Sequence, residues 1–139
     1  MQETKKIKIK SSLGFTLVEL LVVVAILGIL SAIGVVSYNG YVSATKAKSA
    51  ENMMQQIGLA ETEEYSSYGS YYGEDSICDV DTTQDIGSNL FGSSDYIDRD
   101  KIGYDFCVLA TGSTYTVHAQ SIKTDCNMTL DSSGNFTKC

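Results

Sequence analysis

Residues 20–36 contain nothing more polar than Ser31, and no charge follows until Lys46. As a helix rising about 1.5 Å per residue, this stretch reaches across a hydrocarbon core of roughly 30 Å, so the chain must place a span in lipid or bury it elsewhere. Gly28, Ser31 and Gly34 are its only weak points as a span, and small residues let neighbouring helices approach closely. There is no proline, so nothing forces a break. Lys5, Lys6, Lys8 and Lys10 precede the run against a single acid, Glu3. By the positive-inside rule the N-terminus stays cytoplasmic and the bulk of the chain is exported.

The pattern then changes without stopping. Ala47, Ala50, Met53, Met54, Ile57, Ala60, Tyr65 and Tyr68 recur at three-to-four spacing, with Lys48, Glu51, Gln55, Glu61 and Glu63 between them. This predicts an amphipathic continuation of the same helix, about 80 Å long in all if it runs over residues 15–67. Gly34, Gly40 and Gly58 are positions where it can bend or melt. Residues 74–102, with seven Asp and several Ser and Gly, read as a long ordered loop. A hairpin follows, in which 104–110 and 115–122 flank a turn at 111–114. Setting Ala110 against Tyr115 puts Val108 opposite Val117 and Phe106 opposite Ala119, one apolar face turned toward the helix. The expected class is α+β, a long helix packed on a small antiparallel sheet.

Four cysteines in an exported domain suggest two disulfides and allow three pairings. With residues 131–134 as a turn, Leu130 faces Asn135 and Cys126 comes opposite Cys139, at a Cα separation of about 4.5–5.5 Å that suits a bridge. Of the three pairings, this register favours Cys126–Cys139 and, by elimination, Cys78–Cys107.

The basic leader followed by "GFTLVELLVVVAILGIL" resembles the prepilin signature shared by type IV pilins and the pseudopilins of type II secretion systems. The likeness is carried by residues 10–34; beyond them it is one of architecture, a long helix, a connecting loop, an antiparallel sheet and a cysteine-closed end. It implies that prepilin peptidase cuts between Gly14 and Phe15 and that the new amino terminus of Phe15 is methylated. The division implied is leader 1–14, membrane and filament-core helix 15–38, amphipathic half 39–68, and a disulfide-bonded loop and sheet over 69–139. Val36 stands where many members carry a proline that kinks the helix.

Glu19 takes its meaning from two environments. In lipid it lies in the first turns of the helix, where the positive end of the dipole favours an acid. In a protein-packed core an unpaired carboxylate is costly. The resemblance implies its partner, the Phe15 ammonium of a neighbouring subunit, in a homo-oligomeric helical filament raised by the pilus assembly machinery. The implied function is a structural subunit of an extracellular type IV pilus, without cofactor; the alternative is a pseudopilin driving protein export. Two C-terminal cysteines lean toward the pilin.

Loss of residues 1–14 leaves 6 basic against 16 acidic residues, a formal −10, which does not suit nucleic acid. No nucleophile–base pair or phosphate-binding loop points to an enzyme. Asp79, Asp81, Thr83 and Asp85 alternate as weak candidates for Ca²⁺, but Gln84 stands where an EF-hand loop needs Gly and Leu90 where it needs Glu. His118 is expected across from Cys107, whose disulfide removes the thiolate that a metal site or nucleophile requires. Tyr65, Tyr68, Tyr71 and Tyr72 are expected to cover the sheet edge and helix end. The sequons at Asn127 and Asn135 read as strand and turn residues.

Overall fold

The computed structural model describes residues 14–73 and 76–139. The lysines of the leader, and Glu74, lie outside the described residues. The elements in chain order are α1 (Leu17–Tyr68), α2 (Val80–Phe91), α3 (Arg99–Ile102), β1 (Tyr104–Thr111), β2 (Thr114–Ser121), β3 (Asn127–Asp131) and β4 (Phe136–Thr137). The strands form one antiparallel sheet in the order β1-β2-β3-β4. The fold is α+β, with a long N-terminal helix and a small sheet.

The chain divides into two units at Gly40/Tyr41. In the first, every large apolar side chain between Leu17 and Val36 is at least 48% exposed, so the helix is apolar around its whole circumference. That is the character of a span or of a helix meant to be packed by others, not of a surface helix with one wet face. The Ser31 hydroxyl donates to the Leu27 carbonyl at 2.7 Å, which satisfies the one polar side chain of the run within its own helix. The backbone stays helical at Gly28, Gly34, Gly40 and Gly58.

In the second unit, Ala50, Met54 and Ile57 of α1 are fully buried on one face. They join a core with Phe106 and Val108 of β1, Tyr115, Val117 and Ala119 of β2, and Met128 and Leu130 of β3. The β1–β2 register pairs Ala110 with Tyr115, Val108 with Val117 and Phe106 with Ala119, as the alternation requires. Gly58 brings α1 close to β2. The Tyr115 phenol donates to the Gly58 carbonyl at 3.1 Å, and a Cβ at Gly58 would lie 3.1 Å from that same oxygen.

Three expectations need correction. Residues 74–102 are not one loop, because 80–91 form α2. Asp79 caps it, its carboxylate accepting from Thr82 N at 2.8 Å while the Thr82 hydroxyl accepts from Asp79 N at 2.9 Å. Gly92, in the left-handed region at φ 77°, ends it. The last turn is also shifted: Leu130 pairs with Phe136 and Thr129 with Thr137. The Asp131 carboxylate accepts from the backbone N–H groups of Ser133 and Asn135 and from the Asn135 side-chain amide, all at 2.9 Å, which draws Asn135 into the turn. Extending this register sets Cys139 opposite Asn127, one residue from Cys126. Finally Glu61, which falls among the polar positions of the helical pattern, is fully buried.

The disulfides are Cys78–Cys107, Cα separation 4.8 Å, and Cys126–Cys139, Cα separation 5.3 Å. Next to the last cysteine, Lys138 reaches Glu51 of α1 at 2.6 Å, and Lys48 meets the same carboxylate at 2.6 Å. Together these two ammonium groups hold Glu51 below its ordinary carboxylate range.

Helix α2 does the work of a missing strand beside β1. The Phe106 N–H donates to the Thr83 hydroxyl at 2.8 Å, and the Thr82 hydroxyl donates to the Phe106 carbonyl at 2.9 Å. Thr83 is buried, so its hydroxyl has no substitute in solvent. Thr83→Val keeps the shape and removes the acceptor, and should destabilise the detergent-solubilised chain by about 1–3 kcal/mol. A urea titration checks this, and an unchanged midpoint would show that the edge amide finds another partner.

Candidate functional site

The sequence places its chemistry at the start of α1. Gly14, Phe15 and Thr16 precede the helix in non-helical conformation. A Cβ added at Gly14 would meet nothing within 4 Å, and Phe15 is 89% exposed, so among the described residues none crowds the Gly14–Phe15 peptide bond. Thr16 then acts as the cap. Its hydroxyl accepts from the Glu19 N–H at 3.2 Å, while the Glu19 carboxylate accepts from the Thr16 N–H at 2.8 Å. The first helical bond follows, Leu20 N–H to the Thr16 carbonyl at 3.2 Å.

This is a capping box, in which two donors that a helix start leaves orphaned are satisfied reciprocally. It explains how an acid can sit at the head of an apolar helix. In one subunit the carboxylate is turned onto its own backbone at the positive end of the helix dipole. Thr16 is the residue that sequence reasoning overlooked, although the spacing Thr-x-x-Glu announces it. Through its second oxygen the carboxylate can still accept from a donor outside the chain.

The remaining candidates do not converge on a second site. Asp79 is spent on capping α2, and Asp81 and Asp85 are exposed on that helix, not gathered in a loop. Among the described residues no three His, Cys, Asp or Glu are grouped to hold a metal ion. His118 faces Cys107 across the strand pair, and partial burial holds its imidazole below the ordinary histidine range. Both sulfurs near it are in the disulfide.

The tyrosines divide. Tyr71 packs between Tyr65 and Tyr115, with ring centroids 4.5 and 4.8 Å away, whereas Tyr68 is largely exposed. Asn127 opens β3, and Asn135 is held by Asp131.

Comparison with curated proteins and with solved structures finds no match. Residues 9–35 match the family model described as the prokaryotic N-terminal methylation motif. The matched segment takes in Gly14, Phe15, Thr16 and Glu19 together with most of the exposed apolar helix. The chain thus carries, over residues 9–35, an N-terminal methylation motif of the kind that forms the class III leader of type IV pilins and pseudopilins.

Proposed function

We propose that this chain is a structural subunit of an extracellular type IV pilus. One observation carries the reading: a helix apolar on every side, covered by none of the described residues, begins with a single carboxylate beside a Gly14–Phe15 bond that none of them crowds. Lipid satisfies the apolar surface of the inner-membrane precursor, which crosses once with its N-terminus inside. In the filament, copies of the same helix replace lipid. Contacts between unlike faces of identical subunits do not close on themselves, and so they build a fibre.

Cleavage after Gly14 creates an ammonium at Phe15, which methylation leaves cationic. As a subunit leaves lipid, its Glu19 keeps the bond to its own Thr16 N–H and takes the Phe15 ammonium of a neighbour as its second partner. A carboxylate with one N–H and one cation is tolerable where water is excluded, whereas an isolated one is not. The pair fixes the axial register at which each subunit joins. The body that emerges is the acidic, disulfide-bonded unit.

N-terminal sequencing and intact mass of sheared surface filaments test this directly. A chain beginning at N-methylated Phe15 is the expected result; its absence from every filament preparation would overturn the pilus assignment and favour a secretion pseudopilin. Gly14→Val should leave the precursor at its full mass, because a branched side chain then occupies the position next to the scissile bond. Unchanged processing would remove peptidase cleavage at this bond from the scheme.

Two substitutions at Glu19 separate capping from assembly. Glu19→Gln keeps an oxygen for the Thr16 N–H and loses the charge. Both Glu19→Gln and Glu19→Ala should reduce filament yield by roughly tenfold or more, equivalent to about 1.4 kcal/mol in subunit addition, while the processed subunit stays in the membrane. Normal filament yield from Glu19→Gln would reduce Glu19 to a helix cap.

A further inference from the structure

Among the described residues the carboxyl of Glu61 is the one buried side-chain group with an oxygen that lacks a hydrogen-bond partner. Its side chain is 0% exposed. Oε2 accepts from the Tyr72 N–H at 2.8 Å, and Oε1 has no hydrogen-bond partner among the described residues. Four groups border it. Glu64, one turn along α1, is a like charge, and Tyr115 faces it from β2. The Tyr115 proton is already given to the Gly58 carbonyl. Residues 69–73 contribute Tyr72, through its N–H, and Tyr71, whose ring lies on Tyr115. Among the described residues no Lys, Arg or His acts on it.

What Glu61 holds is the segment that leaves α1 and crosses the free edge of β1. Gly73 lies directly on that strand, its carbonyl accepting from the Ala110 N–H at 3.4 Å. With φ +124° and a would-be Cβ 2.4 Å from the Val108 carbonyl oxygen, the position admits only glycine. The Tyr72 phenol oxygen accepts from the Asn89 side-chain amide on α2 at 3.3 Å. The Glu61–Tyr72 hydrogen bond, together with the Tyr65–Tyr71 ring stack, joins this segment to the long helix.

We propose that Glu61 is a proton-operated latch: neutral, it holds residues 69–73 on the edge of β1, and ionised, it releases them. A buried carboxylate with one N–H donor and a like charge one turn away is unfavourable, and protonation removes the charge at the smaller cost of one unpaired polar group. Burial accordingly raises this carboxyl from 4.5 to about 7, with Glu64 adding to the rise and the Tyr72 N–H opposing it.

The held form therefore binds the proton more tightly than the released form. Between pH 4.5 and about 7 each pH unit favours release about tenfold, and above that range the balance is flat. Release uncovers the backbone of β1 near Ala110 and frees Tyr71 and Tyr72 from the core edge. On an exported subunit the surface around the head of the sheet would thus change with external pH.

Amide exchange of the detergent-solubilised full chain tests the latch. After correction for intrinsic rates, protection of the Tyr72 and Ala110 amides should fall on the order of 100-fold between pH 4.5 and 7.5. The Val117 amide, in the middle of the sheet, should hold its protection. Glu61→Gln, which cannot ionise, should abolish the pH dependence at Tyr72 and Ala110.

Flat protection in the unmodified chain, a parallel fall at Val117, or the same slope in Glu61→Gln would each overturn the proposal. The carboxyl ¹³C titration of Glu61 in the unmodified chain decides the matter even if the variant fails to fold. A midpoint near 7 supports the latch, and one near 4.5 refutes it.

Discussion

Everything in the second unit, 41–139, is built on the face of α1 that carries Ala50, Met54 and Ile57. The sheet has four strands, one of them only two residues long, and its inner side chains would stand in water without that face. Burying a side chain such as Met54 or Ile57 contributes about 1.5–3 kcal/mol. A unit of this size has few such contributions to offset the entropy of ordering its chain. Gly58 sets how near the helix can come. Because it has no side chain, the Tyr115 phenol reaches the helix backbone, and β2 is fixed to α1 by a hydrogen bond as well as by packing.

The same helix has to satisfy two solvents, and its sequence changes period to do so. From Leu20 to Val36 every position is apolar or small, which suits lipid or close-packed neighbours. From Lys46 onward charges return and, Glu61 apart, lie outside the fully buried face, which suits a helix with one covered face. Glu19 stands at the head of the first regime. The capping box with Thr16 answers its cost in a lone subunit, and in the proposed filament the remaining oxygen is free to take a cation.

The sequence was legible where a period or a charge pattern acts over many residues. The apolar run, the amphipathic continuation and the β1–β2 register all follow from spacing, and a slip of one residue would have turned Val108 and Val117 outward. It was illegible where a few polar side chains decide. Helix α2 has only Ile86 among its large side chains fully in the core, and its Ser, Asp and Asn read as loop; the capping pair Asp79 and Thr82 and the stop at Gly92 were the available signals. The β3–β4 register turned on Asp131 recruiting Asn135, which lengthens the turn by one residue. Glu61 was miscounted as polar surface, because the residues that cover it arrive from beyond the helix end. At the candidate site Gly14, Phe15 and Glu19 stood out, and Thr16 did not, since its role is visible only as a pair with Glu19.

The sheet edges explain why assembly through the helix is the consistent reading. A chain with a long open edge strand is prone to pair with copies of itself through backbone hydrogen bonds, in any number and without a defined register. Here β1, an outer strand, has its backbone at Phe106 occupied by the Thr82 and Thr83 hydroxyls and at Ala110 by the Gly73 carbonyl, while β4 at the other side offers two residues. Strand addition is thereby discouraged at both edges. The long apolar surface left for copies to share is the first part of α1, where a single carboxylate can dictate the register that an unblocked sheet edge would leave open. The latch bears on the same point from the other side, because the Gly73 carbonyl is the part of this edge protection that Glu61 governs.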